Sequence, residues 1–135
     1  MSTNKRAYID HYRLLLGMEA KLKPVDLDRG ERLAKEMEIT DKEATALFTV
    51  LYFHIRSHVR ISHEKAVIVA YTTSEGVRLL GTGISRDNVV LEIIAIPSKF
   101  VQDEDLVVNL ADLALGYFET LIEVATYALK QGATA

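Results

Sequence analysis

A chain of 135 residues, 49% hydrophobic and 26% charged, has the length and composition of one globular domain. It can bury about 70% of the surface its unfolded form exposes, which excludes a disordered polyelectrolyte. It contains no cysteine, so disulfides, thiolate metal ligands and thiol nucleophiles are all excluded. Its formal net charge of −3 neither demands nor forbids a polyanionic partner.

The N-terminal stretch MSTNKRAYIDHY lacks the apolar centre of a secretory signal, and every apolar run falls short of the ~20 residues that span a bilayer. The expectation is a soluble, cytoplasmic protein with no membrane partner. Charge is unevenly placed. Residues 1–66 hold twelve Lys and Arg against ten Asp and Glu, and residues 67–135 hold four against nine. Two ends of different sign suit a protein that assembles, since one end can meet the other.

In chain order, apolar residues recur at spacings of three and four from Asn4 to about Lys23 (Ala7, Leu14, Leu15, Met18, Leu22), which predicts an amphipathic helix. Pro24 ends it. A shorter helix is predicted over about Asp26 to Glu38, with Leu27, Gly30, Leu33, Ala34 and Met37 inward. The run Ile39-Thr40-Asp41-Lys42-Glu43-Ala44 reads as a capping box of Thr40 with Glu43, with Ile39 stapled on Ala44. The helix it starts is expected to continue to about Ile61 along a stripe that includes Leu47, Leu51, Ile55 and Val59. These three helices form a helical part over about 4–61.

A change of period is then expected. KAVIVAYTT, VRLLGTGIS and VVLEIIAI are rich in β-branched residues and separated by Ser74-Glu75-Gly76 and Asp87-Asn88. They predict a three-stranded antiparallel β-meander over about 65–97, closed by Pro97. Asp103, Glu104 and Asp105 then place a cap and negative charge at the start of a long helix to about Lys130. The fold class expected is α+β, in a single domain.

That last helix has an apolar arc of roughly 200° on a wheel stepped at ~100° per residue. One sheet covers about half of such an arc. The helix would be about 40 Å long and an eight-residue strand about 26 Å. The surplus points to a partner surface, with Val107, Leu115, Phe118 and Ile122 as interface residues.

Chemistry is concentrated in FHIRSHVRISHEK, residues 53–65, which carries three of the four histidines. His54 and His58, four apart, share a helical face with metal-ligand spacing. His63 joins them only if the helix ends near Ile61 and the chain folds back. No glutamate follows His54, so the HExxH pattern is absent. Both histidines also suit the boundary of a core stripe. Arg56, Arg60 and Lys65 form the densest basic patch, fit either for a nucleic-acid backbone or for the negative end of a helix dipole.

The glycines of LLGTGISRD match neither a dinucleotide fingerprint nor a nucleophile elbow. Glu92, in an apolar strand, would pair with Arg78 across the meander. No cofactor is called for. The residues favour a small non-catalytic subunit that self-associates as a homo-oligomer or binds a protein partner. The alternative is an accessory protein that holds RNA or DNA through segment 54–65.

Overall fold

The computed structural model describes Arg13 and residues 22–134, with side chains as far as Gln131. The first helix predicted from the sequence falls outside the described residues, apart from Arg13, Leu22 and Lys23. The rest is helical: α1 (Pro24–Glu36), α2 (Lys42–His58), α3 (His63–Gly81), α4 (Arg86–Ala95), a 3-10 turn (Ile96–Lys99) and α5 (Glu104–Thr134). There is no strand among the described residues. The α+β expectation and its three-stranded meander are therefore overturned. The protein is an all-α bundle in which α3 packs against α2, α4 and α5, while α1 lies on α2.

The misleading signal was composition. Residues 65–73 have the valines, isoleucine and threonines of a strand, yet Ala66, Val69, Ala70, Thr73 and Val77 are buried at intervals of three and four. A β-branched residue loses well under 1 kcal/mol of helix propensity relative to alanine, whereas burying its side chain contributes about 1.5–3 kcal/mol. Burial decides the conformation. α3 is the central helix, and buried or half-buried positions surround it.

The residues of the expected meander and its flanks have helical roles instead. Ser62 and Ser85 are N-caps: the Ser62 hydroxyl accepts from the Lys65 amide at 3.3 Å and Ser85 from Asn88 at 3.4 Å. Asp87 and Asn88 belong to the first turn of α4. Ser74, Glu75 and Gly76 sit inside α3, where the Ser74 hydroxyl donates to the Tyr71 carbonyl and the Glu75 carboxylate accepts twice from Arg78. Glu92 is exposed on α4, so the cross-strand pair with Arg78 does not form. Pro97 opens the 3-10 turn.

Other boundaries shift by a few residues. α2 is capped by Asp41, whose carboxylate accepts from the amides of Glu43 and Ala44, so Thr40 is not the cap. Its last residue is His58, and Val59 is extended. α5 begins behind Asp103, which accepts from Asp105 at 3.0 Å and Leu106 at 3.3 Å.

Helices α1 and α3 end in the same device. In each, the amide two residues past the cap reaches back five positions, Ile39 to Ala34 and Ile84 to Leu79, and the amide before it reaches back three. This is the Schellman arrangement, which needs a left-handed residue. Gly83 fills that position at the end of α3 with φ 96°, and Glu38 at the end of α1 with φ 60°.

The core gathers Phe48, Leu51 and Ile55 of α2, Val69 of α3, Ile93 of α4 and Phe118 of α5, all at 0% exposure. Two glycines allow the closest approaches. A Cβ on Gly30 would stand 2.2 Å from Thr49 Cγ2, so α1 can lie on α2 only without one. A Cβ on Gly76 would meet Ile93 Cδ1 at 2.7 Å and Phe118 Cδ1 at 3.0 Å. No helix among the described residues is long and apolar enough to cross a membrane.

Candidate functional site

The histidine and arginine segment closes α2 and leads into α3. His54 and His58 stack with ring centroids 4.2 Å apart, and His58 Nδ1 donates to the His54 carbonyl at 2.9 Å. The His54 ring also meets the Tyr117 ring of α5 edge-on. Burial there pushes the Tyr117 phenol above its usual range. His63, beyond the bend, shares a 2.7 Å hydrogen bond through Nδ1 with the Tyr52 hydroxyl. The structure thus joins two of the three candidate ligands and turns the third toward a tyrosine. Among the described residues no group of three or more His, Asp or Glu is placed to hold a metal.

The basic residues are similarly divided. Arg56 donates to the Ile61 carbonyl at 2.7 Å, tying the α2–α3 link to the end of α2. Lys65 is half-buried in the first turn of α3, and Arg60 is exposed. Of the three, Arg60 is the side chain left both exposed and without a bond to the link.

The interface residues expected on α5 face inward to differing degrees. Phe118 is fully buried against α3, touching the site of Gly76, so its surface is consumed within the chain. Val107, Leu115 and Ile122 are half-buried, and Leu115 and Ile122 pack on the core. The apolar arc that was too wide for a sheet packs on α3, α4 and the 3-10 turn, which bury its centre and leave its flanks half-buried. Those elements are the residues that were expected to form the meander, and they are thicker as helices than as strands.

Two surfaces remain that the sequence reading did not single out. On α4, Leu91 and Ile94 are three apart and 65% and 48% exposed. Between α1 and α2 there is an open groove of about 660 Å³. One wall is a single face of α1, with Leu27, Glu31 and Lys35 at successive turns. Ala46 of α2 contributes to the other wall, and Ile39 and Lys42 stand at the connection. Neither lysine is ion-paired among the described residues, and both are exposed.

The groove exists because Gly30 lets the two helices touch at Thr49. Its volume falls within the ~300–1,000 Å³ of ordinary binding sites. From sequence Leu27 was expected to face inward, yet it is 48% exposed on the groove wall. The relative placement of two helices leaves no mark in either one's periodicity, so no sequence signal located the groove.

Comparison with protein-family models, with curated proteins and with solved structures finds no match to this chain.

Proposed function

We propose that the protein is a small non-catalytic subunit that acts through protein–protein contact, beginning with self-association. The observation that carries this reading is the α1–α2 groove, a concavity with Leu27, Ile39 and Ala46 along it and two lysines without an ion pair among the described residues. Apolar surface beside charge that lacks a partner is what a complementary chain would cover. The exposed Leu91 and Ile94 on α4 add to the apolar surface available for assembly. The basic segment 54–65 supports the nucleic-acid reading less well, because Arg56 is already bonded to Ile61 and Lys65 is half-buried.

The test is light scattering of the purified chain from micromolar to submillimolar concentration. An average mass that climbs with concentration is expected, and Ala46→Arg, which fills the groove, should shift it toward the monomer. A protein that stays monomeric throughout would overturn the reading. Addition of a mixed-sequence RNA is the control: a mass that rises only with RNA, and collapses steeply with salt, would favour the nucleic-acid alternative.

A further inference from the structure

We propose that the occupant of the α1–α2 groove is the outward face of α5 from a second copy of this chain, joined head to tail. This inference rests on self-association as proposed above and specifies its two surfaces.

The outward face of α5 is one continuous stripe. Asp105, Val108, Asn109, Asp112, Gly116 and Glu123 are all exposed and fall within about 100° of one another on the helix. From Asp105 to Glu123 the charged residues it presents are all acidic. Glu119 falls within the same arc and is answered within the chain by Arg86 of α4. Asp105, Asp112 and Glu123 have no ion-pair partner among the described residues.

The stripe is not simply a solvated ribbon, because Val108 is 57% exposed between two aspartates. A β-branched apolar residue there serves the helix poorly and leaves most of its surface in solvent. Gly116 stands one turn beyond Asp112, and a Cβ built on it would meet nothing within 4 Å. Its absence opens no contact inside the molecule but leaves room for another backbone.

The groove complements this face in sign and in size. It carries Lys35 and Lys42, opposite in sign to Asp105 and Asp112, beside apolar Leu27, Ile39 and Ala46, which can receive Val108. The α1 wall from Leu27 to Lys35 is about 12 Å long, and Asp105 to Asp112 covers about 10 Å. Two α5 stripes would repel each other, so a symmetric contact through α5 is disfavoured. Groove and stripe are different surfaces of the same chain, and such a contact propagates unless it closes into a ring.

Charge exchange tests the pairing. Lys35→Glu with Lys42→Glu reverses the groove, and Asp105→Lys with Asp112→Lys reverses the stripe. All four side chains are exposed, and circular dichroism verifies that each variant keeps its helix. The wild-type chain should form species larger than a dimer whose association weakens with salt. Each reversed variant alone should associate at least about tenfold more weakly. Mixed in equal amounts, the two variants offer the intact stripe to the intact groove and the reversed stripe to the reversed groove, so both contacts are again complementary and assembly of alternating copies should return.

A mixture that stays monomeric, or a reversed variant that assembles like the wild type, would overturn the pairing while leaving self-association in place. A wild-type chain that is monomeric at every concentration would overturn both.

Discussion

The bundle contains two close helix contacts built on glycine, and they are close for different reasons. Where α1 meets α2, the missing Cβ of Gly30 is replaced by the branched end of Thr49, with Cγ2 at 2.2 Å, Oγ1 at 2.3 Å and Cβ at 2.7 Å. Thr49 cannot retreat: it is 2% exposed and its hydroxyl donates to the Thr45 carbonyl at 2.8 Å. Where α3 meets α4 and α5, Gly76 faces the tip of Ile93 and the ring edge of Phe118. The tip of an isoleucine can move by a rotamer. One glycine is obligatory and the other is an economy, and the contact patterns of the two helices would not have separated them.

Gly30→Ala breaks the first contact. Overpacking costs about 1–3 kcal/mol or more, and alanine regains about 1 kcal/mol of helix propensity. The expected net loss is about 2 kcal/mol, read as a lower urea midpoint. The double variant with Thr49→Ala should be less destabilised than the sum of the singles. Thr72→Val acts near the second contact, where the Thr72 hydroxyl is buried without a hydrogen bond. Replacing it with a methyl group of the same shape should raise stability by about 1 kcal/mol, visible as a higher melting temperature.

Gly76→Ala should lose less than about 1 kcal/mol, because the propensity gain offsets most of the push on Ile93. A loss equal to that of Gly30→Ala would erase the distinction. Glu38→Gly relieves the left-handed end of α1, worth about 1–2 kcal/mol, and returns about 0.5–1 kcal/mol as unfolded-chain entropy. A net gain of about 0.5 kcal/mol is expected in chemical denaturation.

The smallest effect concerns alkaline pH. Burial raises the Tyr117 phenol, and burial followed by the Glu75 carboxylate raises that of Tyr71. The folded chain therefore holds these protons more tightly than the unfolded chain. Their contribution is full below the unfolded value near 10 and is lost as pH rises through the folded values. Tyr117→Phe should flatten the fall in stability above pH ~10.

The helices α2 and α5 were legible in the sequence because an amphipathic stripe or a cap marks them. Leu47, Leu51 and Ile55 form such a stripe, and Asp103 caps α5. The centre was not legible. α3 is enclosed by α2, α4 and α5, its polar face is narrow and half-buried around Glu75 and Arg78, and its β-branched run imitated a strand. Ser62 and Ser85 carried the true signal as N-caps, but a lone serine before a β-branched or apolar run does not by itself separate a helix from a strand. The site was less legible still. The stacking of His54 on His58 follows from their spacing, whereas the bond of His63 to Tyr52 and the α1–α2 groove depend on how helices cross.

The enclosure of α3 also bears on how the protein fails. Residues 66–73, Ala-Val-Ile-Val-Ala-Tyr-Thr-Thr, carry no charge, no proline and a strong leaning toward extended backbone. As long as the surrounding helices hold, that leaning has no outlet. A variant that loosens the bundle would expose a stretch suited to stacking with its counterparts in other chains. Loss of fold in this protein should then end in fibrous deposits seeded from one short segment rather than in a soluble coil.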